Sequence, residues 1–592
     1  MAREVDALGG QMGVTTDFAM THLRRVGTGK GPAVQTLRAH VCKNLYPQIM
    51  QKTLADQPNL TVIEAEVESV LSQNGKVSGV RIRLGGQIEE IECRSAVLTT
   101  GTFMNGLCHR GTEKTVAARH GDPAVAGLSQ FLKDLGVRLR RFKTGTTPRV
   151  SLKSLDLTGL ECMDSELELG AMSFMHDRPM VDRKLYDCWQ THTQPATHEL
   201  LASRLHESAM YSGQIEGVGP RYCPSIEDKI VRFAGKDSHP VFLEIEEWDG
   251  DSVYVQGFST SLPAETQLDA LRTIPGLENV EVHRYGYAVE YDMADPQQLH
   301  PSLMSKLMPG LFLAGQVNGT SGYEEAAAQG IVAGINAARW ANDEEAVIFG
   351  RDQAFLGVMI DDLVVKGVDD PYRMLTARAE HRLLLRHDNA DQRLTPIARA
   401  IGLCSEERWA RFQTKMDRIQ ESESFLRSES ISSKNNGLLE EMGHPPVLNR
   451  VSLFEMMKRP KFGLSDAREL CDKLDIEWNV DDCQSGLGLE VRDQIELAAK
   501  YDGYLQIQER VVAKQRKLDD VSIPGSFDYQ AAKGLSYESI EKLSRVRPST
   551  LGQASRIPGM RPSDILLLVG LLGRSRSSLR RTESKPEEAH PA

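Results

Sequence analysis

Several common signatures are missing from this 592-residue chain, and each absence narrows what it can be. No apolar run approaches the roughly 18 residues that a membrane span needs, so no transmembrane helix and no membrane partner are expected. The nine cysteines are scattered and odd in number, and no Cys-x-x-Cys pair occurs. Neither a metal site nor a disulfide framework is therefore expected, and a reducing cytoplasm is the expected setting. Positive charge is not in excess: the formal net charge is −12, so any nucleic-acid surface must be a local patch. The opening residues carry no secretory pattern. Residues 27–33 form a glycine loop with one lysine, but the spacing of a nucleoside-triphosphate loop is not there. A two-part dinucleotide domain normally opens with a strand, Gly-x-Gly-x-x-Gly and a helix. No such unit stands before residue 100.

What is present reads as a multidomain globular protein, with 40% hydrophobic and 26% charged residues. The most informative stretch is residues 310–334. Leu311 to Ala314 has the pattern of a short buried strand. Gly315, Gly319 and Gly322 then allow backbone to approach a ligand, and from Tyr323 the small residues Ala326, Ala327, Gly330, Ala333 and Gly334 predict a tightly packed helix. Strand, glycine turn and helix together suit a nucleotide cofactor, with an ordinary βα unit as the plain alternative. A second strand ends at Thr100-Gly101, and residues 96–101 and 310–315 are expected to be neighbouring strand ends of one sheet, where open α/β folds bind ligands.

Elsewhere in the first half, helices are predicted over residues 3–8 and 33–54, the latter with Leu37, Val41, Leu45 and Ile49 on one face and Pro47 as a kink. Strands are predicted over 60–63, 66–72, 77–84, 89–93 and 96–100, with Asn74-Gly75 as a hairpin turn. Residues 110–122 and 143–149 read as polar glycine loops. Strands near 241–245, 252–255 and 280–284 predict an inserted α/β domain. Within it, Cys223 stands between Arg221, Tyr222 and Pro224, with Ser225 as a helix cap and Asp228 one turn on. A thiol so placed is either a nucleophile of lowered pKa or a packed structural cysteine.

After residue 350 strand signals fade. Charged helices are predicted over 406–427 and 489–519, a linker over 435–446, and a turn into a capped helix at 558–569. Arg378, Arg382 and Arg386 are spaced to share one helical face, which could hold phosphates or pair with Glu380, Asp388 and Asp391. The basic, serine-rich tail over 574–581 is expected to be disordered.

Lys30-Gly-Pro-Ala33, Lys143-Thr-Gly-Thr, residues 219–233, residues 315–330, residues 371–394 and Gly552-Gln-Ala-Ser-Arg-Ile-Pro-Gly559 together resemble one family over nearly the whole chain. This is the FAD-containing subunit of the tRNA uridine 5-carboxymethylaminomethyl modification enzyme, the glucose-inhibited division protein A family. The resemblance implies an α/β two-part, Rossmann-like FAD-binding domain with an inserted α/β domain, followed by an all-α C-terminal region. The implied divisions are 1–150 and 291–350 for the two parts of the FAD-binding domain, 151–290 for the insertion, and 351–500 and 501–592 for helices serving tRNA and partner.

It also implies a homodimer working with a GTPase partner subunit as a heterotetramer. The expected reaction modifies C5 of the wobble uridine, position 34 of certain tRNAs. FAD, NAD(H) and methylenetetrahydrofolate as one-carbon donor take part. Implied FAD contacts are Val67, Val125 and Gln316, beside Thr100, Gly101, Gly315, Gly319 and Gly322. The expected serine is replaced by Val125, so a backbone contact is expected there. The implied NAD segment is Gly219, Pro220, Arg221, Tyr222, Cys223, Pro224, Ser225, Ile226, Glu227, Asp228, Lys229, Ile230, Val231, Arg232 and Phe233. Cys223 matches a family cysteine suited to attack C6 of uracil, which would make C5 carbanionic. In the family, a strand, Gly-x-Gly-x-x-Gly and a second cysteine precede the segment matching Glu4. Without that unit these residues are expected to hold FAD weakly. The alternatives are a folate/FAD-dependent tRNA uridine methyltransferase, against which residues 400–592 argue, and a non-catalytic tRNA- or partner-binding remnant.

Overall fold

Two short parallel strands, Ala96–Leu98 and Leu311–Leu313, lie in the largest apolar cluster of the molecule. Leu311 pairs with Ala96 and Leu313 with Leu98, so the two expected strand ends are indeed neighbours. The three residues of the second strand are all fully buried, as parallel strands covered on both faces require. The computed structural model describes residues 1–222, 224–480 and 486–582, without the side chains of Lys30, Pro32 and residues 573–582. Cys223 lies outside the described residues.

The helix after the glycine turn runs Tyr323–Ala341. It buries Ala328, Val332 and Ala333, but a side chain added at Gly330 or Gly334 would meet nothing within 4 Å. Tight packing there is thus confined to the alanine-rich face.

Glu66–Gln73, Lys76–Leu84 and Gln87–Glu92 form a three-stranded antiparallel sheet. Its first turn is Asn74-Gly75, both at positive φ, +54° and +76°, as a two-residue hairpin of that composition demands. The strand expected over 60–63 does not form: Leu60, Val62 and Ile63 are exposed and have no strand to pair with.

The helix expected over 33–54 is instead a strand, Thr36–Val41, followed by a helix, Leu45–Ala55. Leu37, Ala39 and Val41 alternate, a period of two that the four-residue spacing concealed. The strand pairs antiparallel with Met20–Val26. Pro47 falls in the helix's first turn, where it costs no hydrogen bond.

A four-stranded sheet has the order Glu113–Val116, Leu107–Arg110, Tyr287–Ala294, Leu139–Thr146. Residues 143–146, expected in a loop, belong to its last strand. Gly145 misled: a β-carbon there would stand 2.6 Å from Ser259 Oγ, so glycine marks a close approach within a strand. A six-stranded antiparallel sheet draws its strands from residues 149–284, with helices Pro195–Ser203, Ile226–Arg232 and Ala264–Leu271. This is the α/β insertion.

Beyond residue 350 the chain is helical, including Glu406–Ser428 and Gly486–Asp519. Among the described residues the one strand pair in this region is Ser430–Ile431 with Val451–Ser452. The linker expected over 435–446 contains a helix, Asn436–Glu441, because Leu439 is fully buried and Asn436 exchanges two hydrogen bonds with Val447. The last helix, Pro562–Thr582, takes in the tail expected to be disordered. No helix among the described residues is long and apolar enough to cross a membrane.

Candidate cofactor and nucleotide site

The cradle is built where the two parallel strands end. Ala314 donates its N–H to Leu98 carbonyl, and beyond it the chain turns through Gly315–Asn318. Gly101, Gly315 and Gly319 have φ of +55°, +85° and +87°, a conformation open to glycine without strain. The turn is held from the helix by the buried Gln329, whose Oε1 accepts from the N–H of Gly315 and from Asn318 Nδ2. Gln329 Nε2 in turn donates to Thr320 Oγ1. Thr100 Oγ1 and Asn318 Oδ1 are among the buried polar atoms left without partners among the described residues. Burying such atoms unpaired costs free energy, and in a cradle edged by glycines they suit the polar rim of a flavin. The residues therefore fit the cofactor the family resemblance implies.

Gln316 lies against Gly101, its Oε1 3.5 Å from where a β-carbon would be. Tyr291, from the four-stranded sheet, is fully buried nearby, and burial pushes its phenol well above the usual range while Gln316 opposes the shift. At Gly322, where φ is −91°, a β-carbon would meet the ends of the Glu325 and Arg373 side chains, which would have to swing aside. Val67 sits in the strand Glu66–Gln73 opposite Ile82. Val125 spends both backbone groups internally: its N–H donates to Phe103 carbonyl and its carbonyl accepts from Asn105.

The segment over 219–233 is moored to the four-stranded sheet. Lys143 N–H donates to Val218 carbonyl, and Val218 N–H donates to Arg141 carbonyl. Glu290 Oε1 accepts from the N–H groups of Glu216 and Gly217, while its Oε2 pairs with His109 Nε2 at 2.8 Å. Burial opposes ionisation of Glu290, but His109, the Gly217 N–H and Arg141 outweigh it and hold the carboxyl below its usual range. Ser225 caps the helix Ile226–Arg232 by accepting from Asp228 N–H, as the sequence predicts. Ile226 and Ile230 pack into the insertion's core, and Glu227 Oε1 gathers donors from Ser208, Thr260 and Ser261. Burial, then Asp228, raises the Tyr211 phenol to about 12. Tyr222, Val231 and Phe233 are exposed.

Segment and cradle meet through residues 368–373. Arg221 pairs with Asp370 at 3.0 Å, and Tyr372 N–H donates to Gly319 carbonyl at 2.8 Å. Sequence reasoning missed Glu290, Asn318, Gln329 and Asp370. One signal was available for the first: Tyr287–Ala294 puts Glu290 and Asp292 among apolar residues, and a carboxylate inside a buried strand must be held by something.

The three arginines do not share a helical face. Only Thr376–Arg378 is helical, as a single 3-10 turn, and the next helix is Ala390–Ala400. Arg378 lies over the Tyr372 ring, 4.5 Å from its centroid. Arg386 is buried, pairs with Asp388 at 3.0 Å and donates to Leu383 carbonyl and Gln494. Of the acidic partners foreseen, Glu380 is taken by Arg351 and Asp391 by Lys415. Among the described residues Arg382 keeps two buried nitrogens, Nε and Nη2, without a partner, and Arg378 keeps its Nε so; burial lowers the Arg382 pKa.

Comparison with known proteins identifies the family and the fold. Residues 1–345 match the family described as glucose inhibited division protein A. Residues 406–509 and 511–592 match the C-terminal helical domain and helical bundle of the tRNA modifying enzyme MnmG/GidA. The tRNA uridine 5-carboxymethylaminomethyl modification enzyme MnmG of Syntrophotalea carbinolica is 46% identical over 97% of this chain and 90% of its own length. That of Heliobacterium modesticaldum is 44% identical over 97% and 89%. The structure of Aquifex aeolicus GidA superposes with a TM-score of 0.86 at 39% identity, covering 97% of this chain and 90% of the other. The chain belongs to the glucose-inhibited division protein A (MnmG/GidA) family.

Proposed function

We propose that the chain is the flavin-containing subunit of an enzyme that modifies the wobble uridine of tRNA. One observation carries the reading: the Thr100–Gly101 strand end, the glycine turn and the 217–222 loop converge through the Tyr372–Gly319 and Arg221–Asp370 contacts. FAD, when bound, supplies the redox chemistry of one-carbon transfer. Thr100, Gly101, Gly315, Gln316, Gly319 and Gly322 hold its flavin end, with Val67 and Val125 at the margin. Residues 219–233 receive NADH, and methylenetetrahydrofolate brings the carbon. With a GTPase partner, in a heterotetramer of two copies each, the enzyme adds a carboxymethylaminomethyl or aminomethyl group to C5 of uridine 34.

The Cys223 thiolate forms a bond to C6 of uracil, pushing the electron pair of the C5–C6 double bond onto C5 and O4. C5 then bonds the methylene carbon as one bond from that carbon to a folate nitrogen breaks, the electron pair going to the nitrogen. Loss of the C5 proton to a base with departure of the thiolate restores the C5–C6 double bond, and glycine or ammonium displaces the remaining folate nitrogen. Arg378 and Arg382 would meet tRNA phosphates, and what favours Arg382 is that it lacks an ion pair among the described residues, whereas Arg378 approaches Asp362 at 3.8 Å. Arg386 is committed to Asp388 and holds the loop. The helical domains matched over 406–592 favour this enzyme over the methyltransferase reading.

The test is incubation with the GTPase partner, NADH, methylenetetrahydrofolate, tRNA and glycine or ammonium, followed by mass spectrometry of the tRNA nucleosides. A flavin-loaded protein that leaves uridine 34 unmodified overturns the proposal. Cys223→Ser is expected to keep the flavin spectrum and abolish modification; retained modification removes the nucleophile from the mechanism.

A further inference from the structure

Lys143 is a buried lysine that no carboxylate pairs with among the described residues. Its residue is 5% exposed, and among the described residues the partner of its ammonium is a thioether, Met210 Sδ, at 3.5 Å. Its cross-strand neighbour is Glu290, directly opposite in the register, yet that carboxylate is occupied by His109 and two loop N–H groups. A buried ammonium without a counter-charge is costly and is normally lost or neutralised. The side chain is held at one place: Gly219 packs on its stem, a β-carbon there falling 3.1 Å from Lys143 Cδ. Ser225 Oγ reaches the same Met210 sulfur at 3.9 Å, so Met210 links the Lys143 ammonium to the far end of residues 219–225. Lys143 N–H also fixes Val218, one residue before that segment begins.

We infer that Lys143 is the counter-cation for a phosphate of the dinucleotide that docks on residues 219–233. This rests on the reading of that segment as the NADH site. The phosphate would supply the charge that Glu290 does not, and the cost of keeping Lys143 unpaired in the free protein would be recovered on binding.

The experiment is equilibrium titration of the protein with NADH, followed by NADH fluorescence, for wild type, Lys143→Met and Lys143→Arg, with tRNA binding measured in parallel. A lost charge-assisted hydrogen bond should weaken NADH binding by about 10- to 100-fold in Lys143→Met. Lys143→Arg should restore most of it. Thermal unfolding of Lys143→Met should be unchanged or raised, because an unpaired buried charge is removed. NADH affinity equal to wild type in a folded Lys143→Met overturns the inference, as does a loss confined to tRNA binding. Wild type that does not bind NADH saturably instead overturns the reading of residues 219–233.

Discussion

Two regions of this molecule bury polar groups, and they do so in opposite ways. The N-terminal helix, Ala2–Ala7, buries Arg3, Glu4 and Asp6, and nearly every charge there is answered. Glu4 accepts from the N–H groups of Phe355 and Leu356 and pairs with Arg393 at 3.0 Å. Asp6 accepts from Ser173 Oγ and Phe174 N–H and pairs with Arg408 at 3.0 Å. Next to them, Lys415 sits between Asp391 and Glu490. The cradle and the strand Leu139–Thr146 leave Thr100 Oγ1, Asn318 Oδ1 and the Lys143 ammonium without strong partners among the described residues. Paired buried charges join the α/β body to the helical region, whereas the cradle holds buried polar atoms that a ligand could satisfy.

The comparison breaks most sharply at Asp6. Asp6→Ala leaves Arg408 buried without its anion and strands two donors, so urea unfolding should show a loss of about 3–5 kcal/mol. Lys143→Met, equally buried, should cost no stability. If the two variants unfold alike, answered and unanswered charges do not differ as argued.

Asp388 tests the same contrast through pH. Burial opposes its ionisation, but Arg386 and His387, with hydrogen bonds from Arg386 and Gln494, outweigh burial and hold its pKa at about 2. A folded pKa below the unfolded value means the unfolded chain binds the proton first as pH falls. The stabilisation is therefore complete above pH 4 and is lost between pH 4 and 2, amounting to roughly 2 kcal/mol. Asp388→Asn should flatten that acid limb in a urea-midpoint series; an unchanged limb would place the acid sensitivity elsewhere.

The cradle was legible because its signal is local. A buried strand, glycines at turn positions and an alanine-rich helix occur within 25 residues, and the second strand end carried its own Thr-Gly mark. The capped helix at Ser225 was legible for the same reason. Lys143 was not. Its meaning depends on Glu290, 147 residues on, being spent on His109 and a third segment, and no periodicity reports that. The arginine spacing over 378–386 failed in the complementary way. A helical period was present, but Arg386 bonding back to Leu383 and across to Gln494 fixes a turn instead. Long-range pairing overrode a local pattern, as it did in the strand Thr36–Val41.

The smallest expected effect separates two kinds of glycine within a dozen residues. Gly319 has a φ of +87°, and a β-carbon there would stand 2.9 Å from Val368, 3.1 Å from Met293 and 3.2 Å from Pro296. Gly330 lies inside the helix Tyr323–Ala341 without positive φ, and a β-carbon there would meet nothing within 4 Å. Alanine at Gly330 should therefore stabilise by about 0.5–1 kcal/mol, because it restricts the unfolded chain and favours the helix. Alanine at Gly319 should destabilise, since both backbone and space oppose it. Thermal unfolding of the two variants decides. A Gly330→Ala protein that melts below wild type would mean the open side of this helix is packed against something in the working assembly. The line between a helix that only supports the cradle and one that also forms a surface would then have to be redrawn.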